Sequence, residues 1–186
     1  MFLFFKPRII GRKNLITKGK VIVLCNHKSV IDPVLFSYLF GRPIHWMAKT
    51  ELFKNKLFAG FITRMHAFPV NRGAGDLASI RHAMRLLHDG KVLGIFPEGT
   101  RIKEDEIGHF EPGVTMMALK TEAYILPIYT DGNYGIFKRV KAVVGELINL
   151  NEYTGGKHNY TAVTEATQYL QTRMVMMKNM LQEGKK

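Results

Sequence analysis

The sequence predicts an α/β protein, a single layered domain with a largely parallel β-sheet flanked by helices. Three observations predict it. Short apolar, β-branched runs of strand length recur along the chain. Longer stretches with helical apolar spacing lie between them, several bounded by Pro, Asp or Gly. The two kinds alternate, which is the order that builds parallel sheets. With 186 residues, no linker and no internal repeat, residues 1–186 read as one domain able to bury a sizeable core.

The elements follow in chain order. Met1 to Phe5 is apolar but stops at Lys6-Pro7-Arg8, too short for a secretory signal. It is either a membrane-touching tip or a strand or helix packed on the body. Val21 to Cys25 is a buried strand, and Pro33 to Phe40 a helix that Asp32 caps, since Pro favours the first helical turn. A strand over Ile44 to Ala48 precedes a helix over Glu51 to Arg64. Strand Ala67 to Val70 precedes helix Leu77 to His88, and strand Val92 to Phe96 precedes helix Gly113 to Lys120. Strands Tyr124 to Tyr129 and Val140 to Val144 follow, then a last helix over Ala162 to Leu181, within about 160–183.

Composition narrows the function. The formal charge of +12 attracts anionic partners: headgroups, a phosphorylated substrate, an acidic carrier or nucleic acid. No zinc-finger spacing, ribonucleoprotein motif or Walker loop accompanies it. The single cysteine excludes an internal disulfide framework and fits a reducing compartment. No apolar run reaches the roughly 20 residues that span a bilayer. No cysteine or carboxylate pairs at ligand spacing with His45, His66, His82, His88, His109 or His158, so no metal is expected.

Chemistry-bearing residues follow the strands, and in parallel sheets the ligand crevice lies beyond the carboxyl ends of the strands. Asn26-His27-Lys28-Ser29-Val30-Ile31-Asp32 places an imidazole in a loop and a carboxylate at the next helix start. A carboxylate on one ring nitrogen fixes the tautomer and frees the other to take a proton. The alternative is that Asp32 caps its helix and His27 is an ordinary loop residue. After the strand ending at Phe96 come Pro97, Glu98, Gly99, Thr100 and Arg101. Glu98 can accept from substrate hydroxyls, Gly99 permits close approach or positive φ, and Arg101 can bind phosphate. The alternative there is a tight turn with a surface ion pair. Arg72 follows a third strand, and a lone arginine there is most often a solvated charge. The stretch Phe53 to Arg64 mixes aromatic, aliphatic and basic residues. It lies in a headgroup layer or packs on the sheet, and the pattern slightly favours packing.

Together and in this order, these blocks resemble the 1-acylglycerol-3-phosphate acyltransferase family of glycerolipid acyltransferases. The resemblance rests on Asn26, His27 and Asp32; on Phe68-Pro69-Val70-Asn71-Arg72; on Phe96-Pro97-Glu98-Gly99-Thr100-Arg101; and on Ile125-Leu126-Pro127-Ile128. Ala48-Lys49-Thr50-Glu51-Leu52-Phe53 is similar to the segment the family places between the first two blocks. The similar region covers about residues 9–150. Two positions depart from the family: Ile102 where Ser is frequent, and Glu111 where Lys is frequent in Phe110-Glu111-Pro112-Gly113.

The resemblance implies acyl transfer from a thioester to the free sn-2 hydroxyl of 1-acylglycerol-3-phosphate, giving phosphatidic acid in phospholipid biosynthesis. It implies a glycerolphosphate acyltransferase-like fold, with no cofactor beyond acyl-CoA or acyl-carrier protein as co-substrate. His27 is then the general base, oriented by Asp32. Arg72 and Arg101 hold the acceptor phosphate, Glu98 and Gly99 order its glycerol, and Thr100 and Lys49 are further substrate contacts, Lys49 being about as often a solvated charge at a helix entry. Backbone N–H groups of the loop after the first strand are candidate oxyanion donors. Cys25, beside a thioester donor, is far more often packing than nucleophile. The expected partners are a lysophospholipid, the acyl donor and an anionic membrane surface, with no nucleic acid. The expected location is the cytoplasmic face of the cell membrane, peripheral or monotopic. Rival readings are acyl transfer to another lipid acceptor, a thioesterase or lipid hydrolase, and, least favoured, a non-catalytic anionic-lipid or nucleic-acid binder.

Overall fold

The structure, a computed structural model, describes residues 7–71, 76–101, 106–135 and 139–183. Its strands are β1 (Arg8–Ile10), β2 (Val21–Cys25), β3 (Ile44–Lys49), β4 (Phe68–Val70), β5 (Val92–Ile95), β6 (Tyr124–Thr130) and β7 (Lys141–Val144). Its helices are α1 (Asp32–Leu39), α2 (Lys56–Arg64), α3 (Leu77–His88), α4 (Gly113–Thr121), α5 (Leu150–Thr154) and α6 (Tyr160–Glu183). The strands form one sheet in the order β1-β7-β6-β2-β5-β3-β4. Every neighbouring pair is parallel except β6 with β7, so the predicted largely parallel sheet is what forms.

The sheet is covered on both faces. Along β2, Ile22 and Leu24 point into a core shared with α3, α4 and α6. Val21, Val23 and Cys25 point the other way, against Phe36 and Phe40 of the α1 region and Trp46. All five β2 residues are buried. A strand sandwiched on both faces cannot alternate apolar with polar, which is why this segment reads as an unbroken apolar run.

The structure differs from the expectation at four elements. The helix expected over Glu51 to Arg64 is two pieces, a 3₁₀ turn at Thr50–Phe53 and then α2. Asn55, in extended conformation, accepts from the Phe58 N–H and starts α2 afresh. Asp32 is the first residue of α1 rather than its cap: Ile31 holds the cap position without a side-chain bond. The Asp32 carboxylate turns back to the preceding loop instead. Strand β1, which pairs with β7, and α5 were not expected, being three and five residues long and too short to show a period. The apolar segment Met1 to Phe5 lies outside the described residues.

Candidate active site

The strand register puts several chain segments at one edge. Leu24 pairs with Ile95, Cys25 with Ile128, and Lys49 with Val70. The residues just past β2, β5, β6 and β4 therefore emerge side by side. Asn26 locks two of these exits together. Its amide donates to the Thr130 carbonyl at 2.9 Å and accepts from the Thr130 N–H at 2.8 Å, fully buried.

His27 follows. Its Nδ1 lies 3.1 Å from Asp32 Oδ2, and because an ionised carboxylate only accepts, Nδ1 is the donor. Oδ2 also accepts from the N–H groups of Lys28 at 2.8 Å and Ser29 at 2.7 Å. Oδ1 accepts from the Tyr134 hydroxyl at 2.6 Å. Asp32 has no exposed surface, so these four donors replace its water. The imidazole side chain keeps 15% exposure, and its Nε2 has no partner among the described residues.

A stack of rings holds the imidazole in plane. Phe96 lies against it at 4.0 Å between centroids, and Trp46 lies against Phe96 at 5.0 Å. Trp46 is anchored by its indole N–H to Ser37 Oγ at 2.9 Å. Gly94, paired with Trp46, makes room for the indole, which any Cβ at that position would overlap. A glycine inside a strand here marks close approach of a neighbouring ring.

Glu98 faces the same loop from β5. Its Oε2 accepts the His27 N–H at 3.1 Å and its Oε1 the Gly108 N–H at 3.1 Å. Burial raises its pKa above the usual carboxylate value, opposed by these two bonds and by the nearby Lys28 and His27 charges. The carboxyl expected to meet substrate hydroxyls thus already braces the backbone. Gly99 sits at φ 65, the left-handed turn that favours glycine. The loop expected to supply oxyanion donors has spent most of them. The N–H groups of His27, Lys28, Ser29, Ile31 and Asp32 all donate within the protein.

A cleft of about 640 Å³ opens beside this assembly. Met47, Val70, Ile80, Ile95, Val114 and Met117 give it apolar walls, and Phe96 and Glu98 join it to His27. Lys49, Asn71, Gly99, Thr100 and Glu111 line it too. Arg101 is exposed just past Thr100. Arg72 and Ile102 lie outside the described residues. The described ends of the segment carrying Arg72 are tied, since Asp76 accepts the Asn71 N–H at 2.9 Å while capping α3 through Ser79. Those bonds hold the Asp76 carboxyl down to about 2.

Cys25 is wholly buried, and burial, followed by the Asp32 and Glu98 charges, pushes its thiol well above its ordinary value. Such a thiol is a packing group. Sequence reasoning missed Tyr134. Its signal was position: Asp131-Gly132-Asn133-Tyr134 leaves β6 at the same sheet edge. Burial and the Asp32 charge push its hydroxyl pKa far upward, so it stays a donor. Gly132, at φ 62, lets that loop lie on the Lys28 side chain, which a Cβ would overlap.

Fold and site together define an α/β enzyme with a histidine–carboxylate pair at the edge of a parallel sheet. Comparison with known proteins places it more closely. Residues 6–131 match the family model described as Acyltransferase. A 1-acyl-sn-glycerol-3-phosphate acyltransferase of Bacillus subtilis is 30% identical over 184 residues, 95% of this chain and 90% of that protein. A protein of the same name from Borreliella burgdorferi is 29% identical over 83% of this chain and 67% of its own length. The crystal structure of PlsC, the 1-acyl-sn-glycerophosphate acyltransferase of Thermotoga maritima, superposes with a TM-score of 0.74 at 22% identity. It covers 97% of this chain and 74% of that one and shares its fold. The chain belongs to the 1-acyl-sn-glycerol-3-phosphate acyltransferase family.

Proposed function

We propose that this protein moves a fatty acyl group from a thioester, acyl-CoA or acyl-carrier protein, to the free sn-2 hydroxyl of 1-acylglycerol-3-phosphate. One observation carries the reading: His27 is bonded through Nδ1 to a buried carboxylate, with Nε2 unpartnered among the described residues, beside a cleft with apolar walls. In the step, Nε2 takes the acceptor's hydroxyl proton as that oxygen attacks the thioester carbonyl. The new C–O bond forms, the tetrahedral intermediate collapses with cleavage of C–S, and the imidazolium protonates the departing thiolate. The atoms balance without another reactant. Asp32 stabilises the transient imidazolium, and general base catalysis of this kind supplies about 10² to 10⁴ in rate.

The cleft's apolar walls suit an acyl chain, and its polar side suits the acceptor. Arg72 and Arg101 hold the phosphate, with Lys49 and Thr100 as further contacts and Gly99 allowing close approach. Glu98 acts chiefly by fixing the His27 loop. Family membership and the apolar cleft beside the base support acyl transfer over hydrolysis. The test is a radiolabelled acyl thioester offered with lysophosphatidate. Label in phosphatidic acid supports the proposal, whereas label released only as free fatty acid identifies a thioesterase. Replacing Arg72 should raise the KM for lysophosphatidate more than that for the donor, and an equal rise in both would overturn its role.

A further inference from the structure

Helix α2 turns an apolar face outward. A surface helix normally buries its apolar stripe and presents polar residues to water. Here Ile62 is the only buried residue of the helix. Leu57 is 90% exposed, Phe61 49% and Phe58 40%. Residues three and four apart share a helix face, so Leu57, Phe61 and Arg64 form one stripe. The Phe58 ring leans toward Phe61, with 6.3 Å between centroids.

Charge and position select the occupant. Lys49, Lys54, Lys56 and Arg64 are all exposed in this stretch, against the single acid Glu51, a net of +3 from four cations and one anion. A two-fold contact between copies would set this patch against itself, cation on cation. An anionic bilayer satisfies both features, taking the cations at its headgroups and the Leu and Phe side chains at the acyl boundary. The segment that carries α2 also starts and ends beside the cleft. The chain leaves β3 at Lys49 and re-enters the sheet at Phe68, which pairs with Met47 only two residues back. Lys49 and Val70, at the two ends of this excursion, both line the cleft.

We propose that the outer face of α2 docks on an anionic phospholipid bilayer, laying the lip of the cleft against the headgroups. The inference stands on exposure and charge and is independent of the acyl-transfer reading. The test is flotation of the full chain with phosphatidylcholine vesicles, with and without phosphatidylglycerol. The wild type is expected to float with the anionic vesicles in a salt-sensitive manner. A Leu57→Ser/Phe61→Ser variant should bind roughly tenfold more weakly or worse. Lys54→Gln and Lys56→Gln should each lose roughly fivefold. Leu57→Ser alone, at a side chain too exposed to support the fold, keeps the test decisive if Phe61 proves structural. Three results would overturn the proposal: apolar variants that float like the wild type, equal binding to both vesicle types, or a sedimenting dimer that the Leu57 change abolishes.

Discussion

Tyr134→Phe tests how the buried carboxylate is held. The substitution removes one oxygen and leaves the ring. Asp32 Oδ1 then loses its 2.6 Å bond, and no other donor to it is found among the described residues. The carboxylate has no exposed surface, so water does not replace the hydroxyl without rearrangement. A hydrogen bond to a charged group contributes about 1.5 to 3 kcal/mol, and a fall in unfolding free energy of that size is expected. The second effect is on the imidazole. Asp32 loses one of the four donors that fix its orientation, so the ring it positions is held less firmly. At about 1.4 kcal/mol per decade, loss of the bond accounts for roughly a tenfold to hundredfold fall in turnover if all of it reaches the transition state. The assay is kcat and KM for the variant and wild type, with urea unfolding in parallel. A kcat that stays at the wild-type value while stability falls would refute the link between Tyr134 and His27, leaving a purely structural bond.

Four further outcomes follow from the same geometry. Glu98→Ala orphans the His27 and Gly108 N–H groups, costing about 1 to 3 kcal/mol. It should lower kcat with both substrates alike, whereas an isolated rise in the acceptor KM would restore a direct role in binding glycerol. Gly94→Ala drives a methyl into the Trp46 indole and should destabilise by about 1 to 3 kcal/mol. Emission from the chain's single tryptophan reports the displacement. Cys25→Ser should retain activity, since the buried, high-pKa thiol serves packing, and an inactive but folded variant would contradict this. His45 is held below its ordinary value of 6.5, first by burial and then by His66, Lys91 and His82. The unfolded chain therefore binds more protons there, so stability is intact above about pH 6.5 and declines as pH falls below it. Urea unfolding of His45→Gln should show a shallower decline between about pH 7.5 and about pH 5.5.

Much of this arrangement was legible in the sequence, because the sheet and the edge that carries the chemistry depend on local pattern. β2 is apolar throughout because it is buried on both faces. The loops after it and after β5 carry the polar residues because that edge is open. Asp32 is legible at the helix start and facing His27, as the structure has it, but not as the helix cap, a position that Ile31 holds. Tyr134 and the partner of Asn26 were out of reach for a different reason. Their partners lie 102 and 104 residues away in the chain, and strand register alone brings them together. The same holds for the stack of Trp46, Phe96 and His27, whose only local trace is a glycine inside an apolar strand. The outward face of α2 is not legible either, because an apolar stripe carries no direction and most often packs inward.

The most direct test of the central claim is acyl transfer to lysophosphatidate in detergent micelles by wild type and His27→Ala. Acyl-CoA and acyl-carrier protein are each offered as donor. Labelled phosphatidic acid is expected from the wild type, with a loss of about 10² to 10⁴ or more in the variant at unchanged melting temperature. A folded His27→Ala that transfers acyl groups at the wild-type rate would contradict the assignment of His27 as the base.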